Sequence, residues 1–122
     1  MTAREIAVSA LALLAEPESS LQDFSDTIIP VMNIMLPEMW EINDGLRRAR
    51  GKAPEPLPKI SALEDDVPYE EELCRSCMPY GLASKMIFDD DDMAKVQYLQ
   101  SMYVSAMGEF AKAMPCDVED VY

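Results

Sequence analysis

The sequence has no histidine, so the usual general base, the base of a catalytic triad and the commonest metal ligand are missing together. Only four glycines occur, and none belongs to a phosphate-cradling loop. Positive charge is scarce: 10 Lys and Arg stand against 23 Asp and Glu, a formal net charge of −13. A chain this acidic is repelled by the phosphate backbone, which argues against autonomous DNA or RNA binding. Long apolar runs are missing as well, and the longest, Ile6 to Ala15, falls short of the ~18 residues a membrane span needs. No membrane partner, no cofactor and no enzymatic activity are expected. What is present is one domain's worth of chain, 122 residues with 49% apolar content, enough for a modest core.

Three cysteines are an odd number, and Cys74 and Cys77 lie too close on an expected helix to form a natural bridge. Free thiols in a reducing interior fit better than a disulfide framework. Arg4 followed by the apolar run resembles a short signal peptide. Against that, Glu5 sits inside the would-be basic region, and Thr2-x-x-Glu5 reads as a helix capping box. A helix is the better reading.

Hydrophobic spacing predicts an all-α, four-helix bundle-like fold. The first helix spans about Ala3 to Ala15, with Ile6, Ala10, Leu13 and Leu14 inward, and ends before Pro17. The second runs from about Asp23 to Arg50. Ile28, Met32, Met35, Met39, Ile42 and Leu46 form its apolar seam, and Val31, Leu36 and Trp40 widen it. Pro37, in the interior, should kink it. Arg47, Arg48, Arg50 and Lys52 suit the negative end of the helix dipole, and Gly51 suits the C-cap. Residues 51–68 carry Pro54, Pro56, Pro58 and Pro68 and form a long connection, either a hinge or a projecting loop that touches a partner. A third helix begins near Pro68, with a kink at Pro79 and Gly81. Asp89 to Asp92 caps a fourth helix, about Met93 to Met114, which buries Val96, Leu99, Tyr103, Ala106 and Phe110. Residues 1–115 form one domain, and 116–122 form an extended acidic tail.

Each candidate site has a plainer explanation beside it. Cys74-Arg-Ser-Cys77 lacks the βαβ context of a redox motif and the further ligands of a zinc site, so core packing is favoured. Asp89 to Asp92 would need Gly at position 94 and Glu at position 100 to start a calcium loop, and those positions hold Ala94 and Gln100. Helix capping accounts for it. Glu64, Asp65 and Asp66, with Glu70, Glu71 and Glu72, read as a solvated face. Ten methionines suit either core filling or surfaces that rearrange on assembly.

The order of segments is distinctive. Thr2-Ala-Arg-Glu-Ile6 opens an Ala/Leu helix, and the long second helix ends in Asn43-Asp-Gly-Leu-Arg-Arg-Ala-Arg50. Val67-Pro-Tyr-Glu-Glu-Glu-Leu73, Met78-Pro-Tyr-Gly-Leu-Ala83 and an Asp-rich step into a Tyr-bearing last helix follow. In this order the chain resembles the head–tail connector proteins of tailed bacteriophages, also called head-completion or adaptor proteins, over nearly its whole length. The resemblance implies a virion structural protein that forms a dodecameric ring of copies of itself beneath the portal protein. Such a ring extends the DNA channel after packaging and meets a stopper or tail-completion protein. On that reading, Arg47, Arg48, Arg50 and Lys52 pair with Glu64, Asp65, Asp66, Glu70 and Glu71 of a neighbour. Val118, Val121 and Tyr122 of the tail reach the ring or the portal, and DNA passes without specific binding. Two rival readings are a small acidic inhibitor that mimics DNA and a metal-dependent enzyme using Asp89 to Asp92.

Overall fold

A computed structural model describes residues 1–87 and 92–113. The expected caps Asp89 to Asp91 and the tail 116–122 lie outside the described residues. The fold is all-α. Helix α1 covers Ala3–Leu13 and is followed by a single 3-10 turn, Glu18–Ser20. Helix α2 covers Leu21–Ala49, α3 Glu71–Ser76, α4 Met78–Met86 and α5 Met93–Ala113. Among the described residues the only β-type pairing is an isolated bridge between Thr2 and Asp66.

The helix ends follow local chemistry. The Thr2 Oγ1 accepts from the Glu5 amide at 3.2 Å, and the Thr2 amide donates back to Glu5 Oε1 at 2.8 Å, completing the capping box. At the far end of α1, Ala15 takes φ of 60°, which lets the Glu16 amide reach the Leu11 carbonyl at 2.8 Å. Helix α2 ends the same way with the residue suited to it. Gly51 has φ of 72°, and the Lys52 amide donates to the Arg47 carbonyl at 2.8 Å.

Helix α2 runs through both of its prolines without a break. Pro30 and Pro37 lie on its exposed side, and they leave the Asp26 and Asn33 carbonyls without a helical donor. The opposite side supplies the centre of the core: Ile28, Met32, Met35, Leu36, Met39 and Leu46 are buried. Against them pack Ile6, Ala7, Ala10 and Leu11 of α1, Leu73 of α3, Met78 and Leu82 of α4, and Leu99 and Tyr103 of α5. Each fully buried Met or Leu contributes about 1.5–3 kcal/mol. Four methionines are thus core. On α1 the buried Ala3, Ala7 and Ala10 let α4 pack against the helix, while Leu13 and Leu14, expected to face inward, are only half-buried.

The third helix breaks earlier than its kink was expected. Cys77 separates α3 from α4, two residues before Pro79. Pro79 has no N–H for the Arg75 carbonyl and sits in the first turn of α4, where that loss is harmless. Gly81 lies inside α4, facing the core.

The connection after α2 does not project, contrary to the sequence expectation. It lies back along α2 as a strap held by side chains of that helix. The Arg47 Nε donates to the Ala53 carbonyl at 2.8 Å, and the Trp40 indole donates to the Glu55 carbonyl at 3.2 Å. Asn33 grips both backbone groups of Ile60, each at 2.9 Å, and the Ile60 side chain is buried. The strap then joins the start of α1: the Ala3 and Arg4 amides donate to the Asp65 and Leu63 carbonyls at 2.9 and 2.8 Å. Prolines keep this stretch out of a helix, and four of its backbone groups, the Ala53, Glu55 and Ile60 carbonyls and the Ile60 amide, are met by side chains of α2.

Candidate functional site

The basic end of α2 and the acidic entry to α3 converge on one carboxylate. Glu70 is only 6% exposed, and its amide is fixed by the buried Asn43 side chain at 2.7 Å. Its Oε1 accepts from Arg50 at 2.7 Å and from Lys52 at 2.8 Å, while Arg47 approaches its Oε2 at 3.4 Å. Arg50 also forms a two-bond pair with Glu72, and Arg47 lies 3.7 Å from Glu55. These groups line an open cleft of about 440 Å³ that also includes Tyr69 and Met1.

The electrostatics follow from this crowding. The Lys52 ammonium, joined by the Arg50 guanidinium, holds the Glu70 carboxyl below the usual glutamate range against the opposing effect of burial. The Arg50 guanidinium pulls Glu72 down to about 2. Glu70 is therefore an ionised acceptor at neutral pH engaged by three cationic side chains, and a poor general base. Beside it the Tyr69 phenol donates to the Leu36 carbonyl at 2.6 Å, and burial raises its pKa. Together these contacts clamp α2, the strap and α3.

The structure thus brings Arg47, Arg50 and Lys52 onto Glu70 within one chain, where the sequence reading had them pairing with a neighbour. Arg48 turns instead to Asp44 at 3.2 Å, and Glu71 pairs with Arg75 at 2.9 Å. Glu64 and Asp65 lie apart from the cluster, at the start of α1, while Asp66 lines the same cleft beside Met1. Glu64 holds Arg4 at 2.7 Å, Asp65 caps its own turn through the Ser61 and Ala62 amides, and Asp66 lies 3.6 Å from the Met1 amine. Val118, Val121 and Tyr122 are outside the described residues.

A second polar centre was not foreseen. The buried Tyr103 hydroxyl donates to Glu38 Oε1 at 2.8 Å, and Lys85 reaches Glu38 Oε2 at 3.2 Å while lying over the Tyr103 ring. This joins α2, α4 and α5. Glu38 and Tyr103 are 65 positions apart, so only the assembled fold shows the pair. Cys74 and Cys77 are free and buried, as expected, and burial pushes both thiols up to about 11.

Among the described residues no group of three or more Cys, Asp or Glu could hold a metal ion, and no helix is long and apolar enough to cross a membrane. Asp89 to Asp91 are outside that search. Comparison of the chain with protein families, curated proteins and solved structures gives no match.

Proposed function

We propose that the chain is a virion structural protein, a ring adaptor between the portal and the tail or stopper of a tailed phage, whose ring extends the DNA channel. The observation that carries this reading is where the positive charge goes. Among the described residues every Lys and Arg except Lys59 and Lys95 stands in an ion pair with a carboxylate of the same chain. The excess carboxylates, including exposed Glu16, Glu18, Asp23, Asp26 and Glu41, are left to set the outward field. A surface of that sign suits a conduit that phosphate must pass without adhering. The helical fold and the order of segments along the chain agree with the resemblance to connector proteins.

The same excess supports a second reading, an acidic inhibitor that occupies the DNA site of a basic protein. A mimic needs its carboxylates spread across one exposed face. Here Glu5 and Glu71 serve a helix cap and a local ion pair, and Glu70 and Glu72 are held by cations, which favours the adaptor. The deciding measurement is the copy number of this chain relative to the portal in purified particles, by quantitative peptide mass spectrometry. Equal copy number supports the adaptor. Absence from intact particles refutes it, and displacement of DNA from a basic protein by the chain would then establish the inhibitor.

A further inference from the structure

Two helix faces have no partner among the described residues. On α2, Thr27, Pro30, Ile34, Pro37 and Glu41 recur at helical spacing and are all exposed, Ile34 at 62%. On α5, Gln97, Ser101, Val104 and Gly108 do the same, with exposed Tyr98 beside them. Their charge content sets both apart. No Asp, Glu, Lys or Arg occurs from Thr27 to Pro37 or from Val96 to Gly108, in a chain that is 27% charged.

From this we infer that copies of the chain associate head to tail, with the Pro30–Ile34–Pro37 ridge of α2 in one copy seated on the outer face of α5, Gln97 to Gly108, in the next. The inference rests on the self-association in the proposed function and names its contact. A body with net charge −13 repels its own copies wherever carboxylates meet, so a second copy approaches best through neutral surface. A basic protein would seek the carboxylates instead, and a nucleic acid finds no cation on either face. Both faces carry exposed apolar bulk, Ile34 on α2 and Tyr98 and Val104 on α5, and beyond Val104 the α5 face opens, with nothing within 4 Å of a Cβ placed on Gly108. The rims differ in charge as well. Asp23, Asp26 and Glu41, at the two ends of the ridge, are in no ion pair among the described residues, while the α5 face ends in an exposed Glu109–Lys112 pair that balances its own charge. Two α2 ridges placed together would instead oppose like charges. Thirteen helical residues give a face about 20 Å long, on the order of 200 Å² per copy, well below the ~800 Å² per partner of a standard interface. The contact is therefore weak between two free copies and becomes strong when a closed ring lets each copy use both faces.

The test uses the full chain with Cys116→Ser as background, Ile34→Cys and Ser101→Cys introduced separately, and far-UV circular dichroism to confirm the fold of each. At millimolar concentration under mild oxidation, the mixture of the two variants is expected to give at least ten-fold more disulfide-linked dimer than either alone. Equal linkage by either variant alone would overturn the head-to-tail arrangement in favour of a face meeting itself. No linkage, while sedimentation shows the unsubstituted chain to be oligomeric, would overturn this contact and leave the adaptor reading standing. No linkage with a chain that sediments as a monomer throughout would overturn the contact and the self-association of the free chain together.

Discussion

Gly81 and Gly108 should respond to the same substitution with opposite signs. Alanine favours a helix interior over glycine by about 1 kcal/mol at either position. At Gly108 an added Cβ meets nothing within 4 Å, so Gly108→Ala should keep that gain. At Gly81 the Cβ would lie 2.7 Å from the Met35 sulfur and 2.7 and 2.8 Å from two Tyr103 ring carbons. The sulfur can swing, although Met35 is fully buried. The ring cannot easily give, because its hydroxyl is tied to Glu38 and Lys85 lies over its face. Overpacking a filled core costs about 1–3 kcal/mol. Net of the propensity gain, Gly81→Ala should destabilise by about 1 kcal/mol and Gly108→Ala should stabilise by up to about 1 kcal/mol. Urea unfolding at micromolar concentration, followed by Trp40 fluorescence and far-UV circular dichroism, reads both. Midpoints should move in opposite directions at constant m-value, with Tm shifts of about 4 °C each way. If Gly81→Ala stabilised as much as Gly108→Ala, the close approach of α4 to α5 would be wrong.

Ala15→Gly should stabilise by about 1 kcal/mol in the same assay, because a residue with a Cβ now occupies a left-handed helix end. Asn33→Ala should cost about 2 kcal/mol by orphaning both backbone groups of buried Ile60, and should speed proteolysis within 52–62. Glu70 and Glu72 titrate lower when folded than the ordinary 4.5, so their stabilisation is present above that pH and is lost as pH falls, for Glu72 through about 2. Glu70→Gln should flatten that part of the stability–pH curve and cost about 1–2 kcal/mol at neutral pH, less than a fully buried pair because Arg50 and Lys52 are partly solvated. Cys74 and Cys77 should react with a thiol reagent at neutral pH only at the rate of unfolding, since burial pushes both up to about 11.

Local physics is written plainly in this sequence. The Thr2–Glu5 box, the α2 seam and the Gly51 end depend on residues within one or two turns of each other, and all stand as read. Most of the candidate site was legible as composition but not as connection. Arg47, Arg50, Lys52 and Glu70 stood out as opposite charges, yet whether they meet within a chain or between chains depends on where the strap runs. That course is set by Asn33 and Trp40, two half-buried residues of α2 whose polar atoms find backbone partners 27 and 15 positions away. Nothing in their immediate neighbours marks them for it. Pro30 and Pro37 lie within the continuous span of α2, whereas Pro79 lies in the first turn of α4, two residues after the break at Cys77. Which turn a proline occupies depends on where its helix starts, and the proline alone does not fix that.

The strap also sets where the fold should open. It is tied down by side-chain contacts, Asn33 to Ile60 and Arg4 to Glu64, across 27 and 60 positions, and not by a helical ladder. The Ile60 amide, bonded only to a side chain, should therefore exchange with solvent through a partial opening that leaves the Met32 and Met35 layer intact.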